Sequence, residues 1–163
     1  FRMAPGWGEF HLFHRRHSRC CAPIFLAGLD GSDIRLIGGE IGTHGAPAWS
    51  ADGQRLAFYS RRQDGEGIYV ADAQGQNQTL ISVEWVIDWS PSWSPDGEWV
   101  TFVSSQSRVN YDIFIMRADG SDVRNLTSSG DSNEDDATWS PVSLPALPTA
   151  VEDMSWGQVK AGN

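Results

Sequence analysis

The sequence predicts an all-β repeat protein, and three observations carry the prediction. The first is a recurring motif. Trp93-Ser94-Pro95-Asp96-Gly97 has a near copy at Trp49-Ser50-Ala51-Asp52-Gly53 and a broken one at Trp139-Ser140-Pro141, where Val142 and Ser143 stand in place of Asp-Gly. The tryptophans lie 44 and 46 residues apart, and a fixed period of that length is the sequence mark of repeat architectures such as propeller blades. The second is that the chain between the motifs repeats in the same register. Ile24-Phe25-Leu26-Ala27-Gly28-Leu29-Asp30-Gly31 matches Ile68-Tyr69-Val70-Ala71-Asp72-Ala73-Gln74-Gly75 and Ile113-Phe114-Ile115-Met116-Arg117-Ala118-Asp119-Gly120. The third is composition: eight tryptophans and seventeen glycines among 163 residues, against a single lysine, Lys160. That balance suits a fold with aromatic and turn positions in every unit.

The motif has a mechanical reading. In Ser94-Pro95-Asp96-Gly97, proline pre-sets φ at the first central position of a tight turn, aspartate tolerates the second, and glycine takes the φ > 0 position that follows. With apolar runs on both sides, the turn is expected to join two antiparallel strands as a three-residue hairpin with a glycine bulge. Trp49 and Trp93, ending the first strand of each pair, are expected to be buried.

Taken in order, residues 1–22 carry no periodicity and are expected to form an irregular arm or the remnant of a preceding strand. The repeats are expected over residues 23–141. Residues 23–38 make a half blade, its two outer strands joined across Asp30-Gly31. Gly38–Gly45 is read as a connection. The first complete blade covers residues 46–82, with strands at Ala46–Ser50, Arg55–Ser60, Ile68–Ala73 and Thr79–Ser82, and with Arg61–Glu66 as a polar loop. In its second strand Leu56 and Phe58 share one face and Ala57 and Tyr59 the other. The second complete blade covers residues 88–128, with strands at Trp99–Ser104, Asp112–Ala118 and Val123–Thr127. The first two of these strands are apolar on both faces, as sheets packed between neighbours are. Residues 137–141 start a further blade. Pro141, Pro145 and Pro148 exclude a continuing central strand, so residues 142–163 read as a tail. The count is a partial or open propeller of about two and a half blades, whereas closed propellers hold four to eight. Terminal blades of an open array are edges that invite association.

The pattern Pro-x-Trp-Ser-Pro-Asp-Gly, then an apolar strand with Phe, then Ile-Tyr/Phe-Val/Ile followed by Ala-Asp-Gly and Leu-Thr, resembles the WD40-like PD40 repeat of TolB-type propellers. That repeat also occurs in the propellers of prolyl-oligopeptidase-like and tricorn-like peptidases. The resemblance covers roughly residues 24–141 and departs at Ala51, where the family has proline, and at Val142-Ser143. It implies a β-propeller that serves as a protein-interaction scaffold, and a periplasmic or secreted location.

The net charge of −9 is uneven: residues 1–22 contribute +3 and the remainder −12. A phosphate backbone needs a basic surface, so nucleic acid is not expected as a partner. No apolar run reaches the length of a membrane span, so insertion is not expected either. Arg15-Arg16-His17-Ser18-Arg19, followed by the apolar stretch from Cys20 to Ala27, superficially resembles a signal peptide. That reading is rejected because residues 24–31 align with two internal repeats. The adjacent Cys20 and Cys21 support no disulfide framework.

Candidate chemistry is sparse. Trp49, Ser50, Asp52, Gly53, Trp93, Ser94, Pro95, Asp96, Gly97 and Trp139 are read as the structural repeat motif. His11, His14 and His17 with Cys20 and Cys21 are metal-ligand types, but their spacing is not that of a zinc finger, and a basic polar arm is the preferred reading. The acidic run with Asp131, Glu134, Asp135 and Asp136 lacks the glycine and terminal glutamate of an EF-hand loop and reads as a solvated loop between blades. No nucleophile elbow, zinc-protease motif or phosphate-cradling loop occurs. His44 is the one histidine of the repeats, and no serine is placed beside it. No catalytic residue, metal or cofactor is therefore expected.

The expected function is that of a non-catalytic scaffold. Its contact loops are Arg61–Glu66, Gln106–Asn110 and Asp131–Asp136, and the acidity of the last favours a protein partner with a basic surface. The remaining blades of a larger propeller, or self-association, are expected to cover its open faces. The alternative is the propeller segment of a prolyl-oligopeptidase-like or tricorn-like serine peptidase. A weaker third reading is a sugar- or lipid-binding extracellular propeller.

Overall fold

The computed structural model describes residues 9–13, 24–28, 30–37, 43–62, 65–82, 88–105, 110–127, 133–134 and 137–140. Eleven strands and no helix lie among them, arranged as three antiparallel sheets. Blade 1 holds β1 (Glu9–Phe13), β2 (Ile24–Gly28) and β3 (Arg35–Ile37). Blade 2 holds β4 (Thr43–Trp49), β5 (Arg55–Arg62), β6 (Gly65–Asp72) and β7 (Thr79–Leu80). Blade 3 holds β8 (Asp88–Trp93), β9 (Trp99–Ser104), β10 (Asp112–Arg117) and β11 (Arg124–Asn125). Blades 2 and 3 are four-stranded meanders with strands in chain order.

Burial on both faces of the middle strands explains why their sequences do not alternate polar and apolar. Leu56 and Phe58 join Ile24, Leu26 and Ile37 of blade 1 in one core cluster. Ala57 and Tyr59, on the opposite face of β5, join Trp93, Val100, Phe102, Phe114 and Met116 of blade 3 in another. Each core is thus shared between two blades, and no sheet has a core of its own.

The inner strands carry a matched irregularity. The register of β4 on β5 shifts between Gly45 and Ala48, and that of β8 on β9 between Trp89 and Ser92. Ala46 and Ser90 adopt φ of 49° and 51° there, an uncommon backbone for residues other than glycine. Each precedes a proline, Pro47 or Pro91, which has no N–H to give to the ladder. Placing proline on an edge strand at a bulge removes that cost and bends the strand.

Four sequence expectations change. Residues 9–13, placed in the arm or as a preceding-strand remnant, form β1 and pair with β2 from Glu9↔Gly28 to Phe13↔Ile24. β4 begins at Thr43 instead of Ala46 because Thr43 and His44 pair with Arg61 and Ser60. The Arg61–Glu66 loop is largely strand: Arg61 pairs with Glu66 and Arg62 with Gly65, leaving a two-residue connection. The Trp-Ser-x-Asp-Gly turn is longer than a three-residue hairpin, with residues 51–54 lying between Ser50 and Arg55. His14, His17, Cys20, Cys21, Asp131, Asp135, Asp136 and the expected tail of residues 142–163 lie outside the described residues.

Candidate functional site

The repeated turn is built around a buried hydroxyl. Ser50 is fully buried; its Oγ donates to Asp52 Oδ1 at 2.6 Å and accepts the Arg55 N–H at 2.9 Å. Asp52 Oδ1 also accepts the Gln54 N–H at 3.0 Å, and Gly53, at φ 70°, donates its N–H to the Ser50 carbonyl at 2.9 Å. Ser94, Asp96, Gly97, Glu98 and Trp99 repeat every one of these bonds. Because the serine hydroxyl takes the N–H of the residue five positions on, the loop closes one residue later than a simple hairpin. Ala51 and Pro95 are both exposed, so the departure from proline at position 51 leaves the turn geometry intact.

The same bonds set the charge of the turn. The Ser50 hydroxyl, then the Gln54 N–H, hold the Asp52 carboxyl below the usual carboxylate range. The Ser94 hydroxyl and the Glu98 N–H do the same for Asp96. A carboxyl lowered in the folded state contributes stability that is complete above its unfolded value of about 3.9 and is lost as pH falls through the folded value. The Asp52→Asn, Asp96→Asn double variant should therefore be less stable than the parent at neutral pH and lose less on acidification. Urea unfolding followed between neutral and strongly acidic pH measures this, and parallel acid limbs for parent and variant would count against it.

The outer turns of blades 1 and 3 use the same carboxylate position, and blade 2 uses another. Asp30 Oδ1 accepts the Ser32 N–H in blade 1, and Asp119 Oδ1 accepts the Ser121 N–H in blade 3, each at 2.9 Å. Blade 2 has Gln74 at that position. There Asp72, two residues earlier, accepts the N–H groups of Gln74 and Gln76 and the Asn77 amide.

These turns occupy one end of the meanders. Five residues separate the first two strands of blades 2 and 3 (50–54 and 94–98), and six separate the last two of every blade (29–34, 73–78 and 118–123). The opposite end is unlike this. The connections at this end, between β1 and β2, β5 and β6, and β9 and β10, hold ten, two and seven residues (14–23, 63–64 and 105–111). The chain therefore has one rim of constant, self-satisfied turns and one rim that differs from blade to blade.

On the variable rim, Arg61 Nε sits 3.3 Å from Glu66 Oε2, and the Tyr59 hydroxyl donates to Glu66 Oε1 at 2.8 Å. Asn133 and Glu134 are held on blade 3 through Tyr111. The Tyr111 N–H donates to Asn133 Oδ1 at 3.0 Å, and the Glu134 N–H donates to the Tyr111 carbonyl at 2.8 Å. The Tyr111 ring lies 4.5 Å from that of Trp89, and both are half-buried. Of the acidic contact candidates, Glu134 is the one among the described residues, and it is bonded to Tyr111, the last residue of the blade 3 connection that contains Gln106–Asn110. Sequence reasoning missed Trp89 and Tyr111; the available signal was that neither belongs to the repeated pattern.

The constant rim holds an open cleft of about 390 Å³ between blades 2 and 3, lined by Arg55, Asp96, Gly97, Glu98, Arg117 and Asp119 among others. Its cations are engaged within the protein. Arg55 lies 4.5 Å over the Trp93 ring and donates to the Gly97 carbonyl at 2.6 Å. Arg117 lies 4.5 Å over the Trp99 ring and 3.3 Å from Glu98. The cleft is a seam between blades. Among the described residues, no three metal-ligating side chains cluster, and no helix is long and apolar enough to cross a membrane.

Three meander sheets that share cores face to face define a segment of a β-propeller. The chain belongs to the PD40 family, described as the TolB beta propeller domain, which matches residues 11–146. No curated protein matches it by sequence. Among solved structures it is similar to the putative TolB of Agrobacterium tumefaciens, at 25% identity and TM-score 0.65, over 78% of this chain and 45% of that one. It is also similar to TolB of Acinetobacter baumannii, at 23% identity and TM-score 0.67, over 82% of this chain and 34% of that one. A chain in the nidogen/laminin complex matches at 20% identity and TM-score 0.52, over 64% of this chain and 39% of that one, and shows the fold alone. The chain spans less than half the length of either TolB structure.

Proposed function

We propose that this chain is a non-catalytic interaction module that recognises a protein through its variable rim, in a periplasmic or secreted setting. The division between rims carries the reading. Loops that vary on a rigid scaffold are where recognition is placed, whereas the hydrogen-bonding groups of the constant turns are largely satisfied within the turns themselves. Trp89 and Tyr111 are of the residue types that dominate binding energy at interfaces. The acidic run that contains Glu134 suits a basic partner surface, and binding through it weakens with salt. The similarity to TolB structures is in keeping with this role.

Site-specific photo-cross-linking tests it. A cross-linker at Tyr111 should yield a specific adduct that fades with added salt and is weakened by Glu134→Gln, while one at Asp96 on the constant rim should yield none. Adducts from Asp96 alone would place recognition on the other rim. Peptide or ester hydrolysis by the purified chain, abolished by one serine substitution, would favour the peptidase-propeller alternative.

A further inference from the structure

Asp30-Gly31, Asp52-Gly53, Asp96-Gly97 and Asp119-Gly120 all lie in turns of the constant rim. Aspartate followed by glycine is open to an intramolecular reaction, because glycine has no side chain to block approach to its nitrogen. The glycine nitrogen attacks the aspartate Cγ and an N–Cγ bond forms. The Cγ–O bond breaks, and the oxygen leaves as water with the amide proton and a second proton from solvent. Water then opens the five-membered imide. Opening at the former main-chain carbonyl leaves the chain running through Cγ, an isoaspartate with an extra methylene in the backbone.

Each of these turns blocks the reaction in the same three ways. The glycine N–H is engaged: Gly31, Gly53, Gly97 and Gly120 donate to the carbonyls of Gly28, Ser50, Ser94 and Arg117 at 2.8–3.0 Å. The carboxylate is turned past the glycine, since its Oδ1 accepts the N–H of the residue after it at 2.9–3.0 Å. It is also kept ionised, and so is a poor electrophile. A serine hydroxyl, then that same N–H, holds each carboxyl below the usual carboxylate range.

The inner turns add a fourth restraint. Ser50 and Ser94 are 0% and 2% exposed. Asp52 or Asp96 can swing toward its glycine only by abandoning a buried hydroxyl that water does not reach, and such an unmade bond is costly. The third copy of the motif keeps the tryptophan. The Trp139 indole N–H donates to the Ser92 carbonyl as that of Trp93 does to Ala48, each at 3.1 Å. It has Val142-Ser143 in place of Asp-Gly and so carries no reactive pair.

We propose that the Asp-Gly turns are latent isoaspartate sites, shut while the blades are folded and released by local opening of a turn, with the buried hydroxyls of Ser50 and Ser94 as the locks on Asp52 and Asp96. Turns open locally without global unfolding. An isoaspartate at 52 or 96 lengthens the main chain between the serine and the N–H five residues on that it accepts. The turn then cannot reclose, and the damage is retained.

Ageing the full chain at neutral pH, below its unfolding temperature, tests the proposal. Peptide mapping by mass spectrometry, with an isoaspartyl methyltransferase to mark the product, reads each site separately. In the folded parent, Asp52 and Asp96 should convert far more slowly than in the same chain held unfolded in urea. Ser94→Ala should speed conversion at Asp96 about tenfold, the weight of a lost buried hydrogen bond, while Asp52 in the same molecules keeps the parent rate. Ser50→Ala should do the reverse. Far-UV circular dichroism shows whether each variant is folded. The comparison of folded and unfolded parent needs no variant, so it decides even where a variant does not fold. A folded parent that converts as fast as the unfolded one would overturn the proposal. So would a folded Ser94→Ala chain in which Asp96 keeps the parent rate, or in which Asp52 speeds up equally.

Discussion

Replacing Trp93 by alanine should remove about 3–5 kcal/mol of stability, the range for deleting a large buried aromatic. The side chain is 6% exposed and stands in the core cluster between blades 2 and 3. Its removal leaves a cavity that two sheets would have to move together to fill. It also strands the Ala48 carbonyl, which accepts the indole N–H, and takes away the ring beneath the Arg55 guanidinium. Trp93→Phe restores part of the volume but cannot restore the hydrogen bond, so it should fall between parent and alanine variant. Urea unfolding of the three proteins gives the order. A loss under 1 kcal/mol for Trp93→Ala would mean that the blades do not depend on this seam.

The features legible in the sequence are those each repeat must restate. Trp49 and Trp93, the buried Ser50 and Ser94 and the glycines at φ 70° and 71° recur because each blade solves the same turn with the same atoms. The two faces of β5 were legible as well, because Leu56 with Phe58 and Ala57 with Tyr59 follow from the two-residue period of a strand. The strand β1 was not. Its partner β2 lies ten residues on, whereas β5 and β6 are two apart, so no fixed offset shows Glu9–Phe13 as a second strand. The bridging role of Arg55 was hidden for a related reason. Trp99 occupies the equivalent place in blade 3, so the bond from Arg55 to the Gly97 carbonyl is not part of the repeat. The rim pair Trp89 and Tyr111 depends on packing between β8 and a connection of variable length, which pattern alone does not encode.

Gly120→Ala and Gly31→Ala should differ sharply although both glycines hold a similar backbone, φ 86° and 80°. At either position an L side chain costs about 1–2 kcal/mol for the left-handed conformation. At Gly31 nothing further is met within 4 Å. At Gly120 the new methyl would lie 2.3 Å from the Ile81 oxygen and 3.2 Å from its carbonyl carbon. Those atoms are backbone, held by the Ile81 N–H bond to the Ile68 carbonyl at 2.9 Å, and cannot swing aside as a side-chain terminus does. The outer strand of blade 2 or the turn of blade 3 must therefore move, opening the core that Ile81 shares with Phe114 and Met116. The expected loss for Gly120→Ala is about 3 kcal/mol or more, the size seen when a packed core is forced apart on top of backbone strain. Urea unfolding of the parent and both variants measures the two losses. Equal losses would show that the turn glycines serve φ alone and that blade-to-blade contact at Ile81 contributes nothing.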